Sequence, residues 1–111
     1  MVELIRGNMK LLIIFILIVF PISLFGDERG VLQLRWDHQF QFAGYYAAKI
    51  KGFYKDVGLN VEIKSGILED GTVVSAVEEV QSGRADFGIG ATDILIAYDK
   101  GYDLTIISSI F

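Results

Sequence analysis

The chain has 111 residues and a formal net charge of −4, from 10 basic and 14 acidic side chains. An acidic chain without a cluster of basic residues is not expected to bind nucleic acid. The absence of cysteine excludes a disulfide framework, a thiolate metal site and a cysteine nucleophile. A single histidine, His38, also excludes metal sites that need a histidine pair. The composition therefore predicts neither a metal ion nor a cofactor.

The N-terminal segment has the pattern of a secretory signal. Two basic residues precede an unbroken apolar run at 11–20, and the apolar stretch continues to the small residue Gly26. About 15 apolar residues are fewer than the roughly 20 that a bilayer span needs. We therefore predict a signal peptide over 1–26, with an uncleaved anchor as the alternative. The remainder, 27–111, is predicted to lie in the periplasm or elsewhere outside the cytoplasmic membrane, with membrane contact only through the first segment.

The exported part alternates between strand-like and helix-like segments, which predicts the α/β class. A β-α-β-α-β-α-β order implies a parallel sheet with flanking helices and right-handed crossovers. The third strand is small and apolar, as expected of a strand buried on both faces. The sequence ends on an apolar strand that no helix covers, so we expect a truncated domain. The predicted elements are strands at 31–36, 59–64, 85–90 and 104–107, and helices at 43–57, 73–80 (capped by Thr72) and 92–100.

The loop that follows the first predicted strand is the strongest candidate for a binding surface. Ligands of open α/β sheets bind beyond the carboxyl ends of the strands, and this loop, 36–46, is dense in aromatic rings with amides and a carboxylate between them. Aromatic faces suit planar ligands, and amides and carboxylates suit their N–H or hydroxyl groups. Core packing explains any single ring equally well, but not the whole cluster. The candidate ligand-binding residues are Trp36, Asp37, Phe42, Tyr45 and Tyr46.

Two further loops carry glycines that allow close approach of backbone to a ligand. The loop at 65–72 also contains Glu69 and Asp70, which weaken a case for anion binding, and a surface turn with a helix cap explains it as well. The loop at 88–93 lacks the third glycine of a dinucleotide fingerprint. Tight packing of strand on helix with a threonine cap is an equally good explanation there. Its candidate ligand-binding residues are Gly90, Thr92 and Asp93.

The case for catalysis is weak. His38 is a candidate general base, but the sequence supplies neither a nucleophile nor an orienting group for it. Asp37 could form a carboxylate pair with Asp86 or Asp93, but no spacing places these side chains together. We therefore predict no catalytic residue.

Five stretches stand in an order and spacing that resembles a known family. Together they resemble the periplasmic substrate-binding proteins of ABC importers, in the branch that handles thiamine pyrimidine precursors, sulfonates and nitrate. The fungal thiamine pyrimidine synthases are related to this branch. The resemblance covers about 31–111 and implies two α/β lobes that close on a ligand, of which this chain supplies most of the first. The five stretches are LQLRW at 32–36, GYYAAK at 44–49, KGFY at 51–54, GLNV at 58–61 and SGRADFG at 82–88.

The resemblance also bears on individual residues. It implies that Trp36, at the end of the first strand, lies at the ligand cleft. The synthases have a histidine two residues before the glycine of their Gly-x-Tyr motif, and that histidine is consumed in their reaction. The matching position here is Phe42, with Gly44 and Tyr46 completing the motif, and the cysteine-rich motif of the synthases is missing. The protein is therefore not expected to be an enzyme.

The favoured hypothesis is extracytoplasmic binding of a small nitrogenous ligand, a thiamine pyrimidine precursor by first choice, for uptake through the permease of an ABC importer. One alternative is a synthase-like enzyme of thiamine biosynthesis. Another is the outer sensor domain of a membrane histidine kinase, with a fused signalling module as the partner. A third is that the 111-residue product has no function, because half a cleft binds poorly.

Overall fold

The computed structural model describes residues 26–110. The predicted signal peptide lies outside the described residues except for Gly26. No helix in the described range is long and apolar enough to cross a membrane. The elements in chain order are β1 (Glu28–Gln33), a 3-10 turn (Phe40–Phe42), α1 (Ala43–Ile50), α2 (Phe53–Asp56), β2 (Leu59–Lys64), α3 (Ala76–Gln81), β3 (Phe87–Gly88) and α4 (Asp93–Asp99).

The three strands form a parallel sheet in the order β2-β1-β3. The β1–β2 register pairs Glu28 with Leu59 at one end and Gln33 with Lys64 at the other. On the other side of β1, Gln33 pairs with Gly88 of β3. Because β2 and β3 flank β1 on opposite sides, right-handed crossovers place helices on both faces of the sheet. The predicted α/β class with a parallel sheet and flanking helices is confirmed, and the connections diverge at a switch point between β1 and β3.

The core lies on the face of the sheet that α1 covers. Leu32, Leu34 and Phe42 form its buried cluster. The alternation along β1 explains this, since every second side chain of a strand points to the same face. On the other face, a Cβ atom on Gly88 would lie 2.9 Å from Cγ2 of Val80 in α3, so the glycine lets helix and strand approach closely. Partly buried side chains complete the core: Tyr45, Tyr46, Val61, Ile63 and Ile89.

Three predicted boundaries were wrong. β1 covers 28–33 rather than 31–36, because pairing with β2 determines where its ladder runs. The single helix predicted at 43–57 is interrupted by Gly52, whose φ of 81° takes the chain out of helical conformation. The helix predicted at 73–80 begins at Ala76, where the Ser75 side chain rather than Thr72 accepts the Glu78 N–H at 3.3 Å.

The third and fourth strands also differ from prediction. β3 has two residues instead of the six predicted at 85–90, and Phe87 is 49% exposed rather than buried on both faces. The reason is that β3 is the edge strand of the described sheet. The strand predicted at 104–107 is not formed in the described part of the chain, where Ile106 and Ile107 are exposed. The helix predicted at 92–100 is present over Asp93–Asp99.

Candidate functional site

The candidate site lies at the carboxyl ends of β1 and β3. These strands are parallel neighbours that end in register, so the segments that follow them emerge side by side. The Ile89 N–H donates to the Gln33 carbonyl at 3.0 Å and extends the pairing by one residue. Beyond it, Nη1 of Arg35 lies 3.6 Å from Oδ1 of Asp93 across the two segments. This ion pair joins the two loops at the switch point, where open α/β sheets bind ligands.

Trp36 and Asp37 present an aromatic face and a carboxylate at this edge. The Trp36 side chain is 46% exposed. Oδ1 of Asp37 accepts the His38 N–H at 2.7 Å and the Ser65 hydroxyl at 3.0 Å. These two hydrogen bonds, the one from the His38 N–H first, hold the pKa of Asp37 below its usual range. The group is therefore a carboxylate at neutral pH. Both hydrogen bonds go to Oδ1, and by fixing the carboxylate they also fix the direction in which Oδ2 points.

The loop after β2 supports the Trp36–Asp37 segment from the side. The Gly66 N–H donates to the Trp36 carbonyl at 2.9 Å, and Ser65 donates its hydroxyl to Asp37 while accepting the Ile67 N–H at 3.0 Å. A Cβ atom on Gly66 would lie 2.5 Å from the carbonyl carbon and oxygen of Arg35. Only glycine permits this approach, so the residue after Ser65 determines how closely the two loops pack. The remaining part of the 65–72 loop is a turn, in which Asp70 accepts the Thr72 N–H at 2.9 Å.

A histidine–tyrosine pair borders the site. Nδ1 of His38 and the hydroxyl of Tyr46 are hydrogen-bonded, and the rings meet edge to face with centroids 5.8 Å apart. Burial, and then the negative charge of Asp37, raises the pKa of Tyr46, which keeps the hydroxyl protonated. The pair lines an open, mostly apolar recess along α1. The neighbouring Tyr45 is half-buried against the core, and burial raises its pKa as well.

The predicted site residues Trp36 and Asp37 lie in the segment after β1, which the Arg35–Asp93 ion pair joins to the segment after β3. Gly90 lies close to Ile94, because a Cβ atom on the glycine would be 2.7 Å from that side chain. Thr92 precedes α4, and its side chain makes no capping hydrogen bond to the helix.

Phe42 does not belong to this edge. It is 5% exposed and packs in the core with Leu32 and Leu34, so its selection as a ligand-binding residue is corrected here. The aromatic loop predicts a ligand contact for this ring, but the 3-10 turn that precedes α1 directs it inward.

Two residues of the edge were not predicted. Arg35 was read as part of a strand, and Ser65 as part of a turn. Their positions become a signal only once the strands are placed at 28–33 and 59–64, because Ser65 then directly follows β2 and Arg35 lies two residues past β1. Among residues 26–110, no cluster of three histidine, aspartate or glutamate side chains could hold a metal ion.

Comparison with known proteins identifies the family. The family model described as NMT1/THI5 like matches residues 39–111, which are 73 of the 111 residues. The chain belongs to the NMT1/THI5-like family. It is a family of periplasmic binding proteins, whose domains are usually extracytoplasmic, and it also includes a synthase. The NMT1/THI5-like match begins at Gln39, after Trp36 and Asp37. No curated protein and no solved structure matches the chain significantly.

Proposed function

We propose that this NMT1/THI5-like chain is the ligand-binding lobe of an extracytoplasmic substrate-binding protein for ABC-importer uptake. The ligand is a small nitrogenous compound, a thiamine pyrimidine precursor by first choice. One observation carries the proposal. An exposed indole and an ionised, oriented carboxylate occupy consecutive positions after β1, at the switch point of a parallel sheet, where the Arg35–Asp93 pair joins the loops.

The binding mode follows from the chemistry of these groups. A planar pyrimidine ring stacks on the exposed face of Trp36. An exocyclic amino group donates to Oδ2 of Asp37, which can only accept because the lowered pKa keeps the group ionised. The Thr92 hydroxyl, exposed ahead of α4, supplies a further polar contact. Closure of a second lobe then covers the open side of the ligand.

A binding role is favoured over synthase chemistry by the position of Phe42. The synthases consume a histidine at the matching place, whereas this side chain is apolar and 5% exposed in the core. Incubating the purified protein under synthase conditions and recording its intact mass tests this step. We expect no loss of mass and no pyrimidine product. Formation of pyrimidine with loss of part of His38 would show that the enzyme reading is right.

Trp36 gives a direct assay, because it is the only tryptophan of the chain. We would titrate the protein with 4-amino-5-hydroxymethyl-2-methylpyrimidine to millimolar concentration, since a single lobe leaves one face of the ligand in water. Saturable quenching of Trp36, confirmed by calorimetry, is the expected result. Asp37→Asn should weaken binding about tenfold, in line with hydrogen bonds to a charged group. Asp56→Asn, an exposed carboxylate on α2, is the matched control. No response in fluorescence or heat would refute this ligand.

Membership of the family supports a transporter partner and an extracytoplasmic location. An importer role predicts that genes for a permease and an ATPase accompany the coding sequence, and that the protein is recovered from the periplasm with residues 1–26 removed. A histidine kinase module in the same reading frame would instead favour sensing, and retention of the first segment would favour an anchor. N-terminal sequencing of the exported protein distinguishes the two forms.

A further inference from the structure

We propose that Gln33 is a positioning residue of the binding site, which places the Asp37 carboxylate through Ser65. The proposal rests on the proposed function, because its purpose is to orient the group that receives the ligand. Gln33 itself ends β1, lies 2% exposed and does not touch the site surface that Trp36 and Asp37 form.

The contacts of the Gln33 amide define its role. Nε2 donates to the Ser65 carbonyl at 2.8 Å and to the Leu34 carbonyl at 3.2 Å. Both neighbours are carbonyl oxygens, so only the NH2 end of the amide satisfies them. One buried group thereby joins the loop after β1 to the loop after β2, at the point where both strands end.

The connection continues from the buried amide to the site. Gln33 holds the backbone of Ser65, and the hydroxyl of Ser65 donates to Oδ1 of Asp37 at 3.0 Å. The adjacent Gly66 N–H donates to the Trp36 carbonyl. A shift of Ser65 would therefore move both the carboxylate and the indole. Ser65 also accepts the Ile67 N–H at 3.0 Å. The residues on either side of it bond backbone to backbone with the segment after β1, Lys64 with Leu34 and Gly66 with Trp36, both at 2.9 Å.

A buried polar side chain needs a reason to be present on a strand of this core. An apolar residue of similar length would fill the same space without a hydrogen-bonding requirement, and burial of an amide costs free energy unless its bonds are made. Gln33 lies between Leu32 and Leu34 in sequence, and its side chain points to the opposite face of the sheet, where it is also buried. We infer that the amide is present at this position because it holds the loops after β1 and β2 at a defined distance.

The first test needs no ligand. Gln33→Glu keeps the shape but exchanges the donor for a carboxyl that titrates. In acid it is protonated and donates to one carbonyl, whereas in base it is a carboxylate facing two carbonyl oxygens. The charged groups that line the same recess are Lys64, Glu69 and Glu79, and Arg84 is hydrogen-bonded to Glu79. We expect Trp36 emission of Gln33→Glu to match wild type near pH 5 and to differ near pH 8, and Gln33→Met to differ at both. Gln81→Glu, exposed at the end of α3, is the matched control.

The second test is a double-mutant cycle on affinity for 4-amino-5-hydroxymethyl-2-methylpyrimidine. We expect Gln33→Met to weaken binding about tenfold when Asp37 is present and less than about twofold in Asp37→Asn, because the two residues act through one path. Equal losses in both backgrounds would show a general structural role and overturn the inference. If Gln33→Met fails to fold, Ser65→Ala, which removes the last link, takes its place in the cycle.

The outcomes separate the two proposals. Wild-type emission in Gln33→Glu at both pH values overturns the positioning role, whatever the ligand. A pH-dependent emission in that variant, together with no binding of the aminopyrimidine by wild type, supports the positioning of Trp36 and refutes the choice of ligand.

Discussion

Gly66→Ala tests whether the two loops at the carboxyl edge are held at the distance that the structure shows. The added Cβ would lie 2.5 Å from the carbonyl carbon and oxygen of Arg35 and 2.7 Å from the carbonyl oxygen of Leu34. All three are backbone atoms, which cannot rotate away as a side chain does. Overpacking costs typically about 1–3 kcal/mol, and we expect about 3 kcal/mol here because the backbone of Leu34 and Arg35 must shift. In a domain of this size that lowers Tm by about 12–24 °C.

The assay is denaturant unfolding followed by circular dichroism and by Trp36 emission. Gly44→Ala is the control, since a Cβ atom there meets nothing within 4 Å and the residue lies in α1. It should raise stability by up to about 1 kcal/mol, because alanine is the better helix former. A Gly66→Ala protein with wild-type stability and wild-type Trp36 emission would refute the close packing of the two loops, and with it the support that Ser65 and Gly66 give the site.

Three more changes test the fold around the site. Phe42→Ala should lower the free energy of unfolding by about 3–5 kcal/mol, as expected for a core aromatic ring, and denaturant unfolding that shows less than about 1 kcal/mol would place the ring outside the core. Gly52→Ala should cost about 1 kcal/mol, because its φ of 81° is unfavourable for alanine, and an unchanged Tm would contradict that conformation. Hydrogen bonding from Arg84 lowers the pKa of Glu79 in the folded protein. The ionised Glu79 therefore stabilises the fold above the pKa that it has in the unfolded chain, and this stabilisation is lost as the pH falls through the lower pKa of the folded state. Acid unfolding of Glu79→Gln should therefore depend less on pH below about 4.5 than that of wild type; equal slopes would refute the pairing.

The parallel sheet could be predicted because the sequence repeats a local pattern, whereas the strand bounds depend on partners that are distant in sequence. Leu59–Lys64 was predicted at its observed bounds, since it alternates and is preceded by Gly58. β1 is displaced by three residues because Glu28 through Gln33 are the ones that pair with β2. Hydropathy favoured the apolar Leu34 as a strand residue, and it is indeed buried, but it lies just past the ladder. The start of α3 was within reach of local reasoning: Ser75 with Glu78 three residues later is a capping pattern that Thr72 obscured.

The site shows a similar division between local and non-local information. The position of Trp36 and Asp37 at the carboxyl edge was predictable, because a polar and aromatic loop after a strand marks the edge where ligands bind; their contact with a ligand stays a prediction. The partners that hold them were not predictable, since Ser65 follows a different strand and Gln33 is a buried polar residue on the face of β1 opposite Leu32 and Leu34. Aromaticity alone misassigned Phe42, which has the same ring chemistry as a stacking residue but is directed inward by the turn before α1. The distinction between binding and packing residues therefore depends on the strand order. Once β1 is known to lie between β2 and β3, the residues that follow the three strand ends converge at one edge. A buried amide at the end of the central strand can then bond to the loop that follows β2.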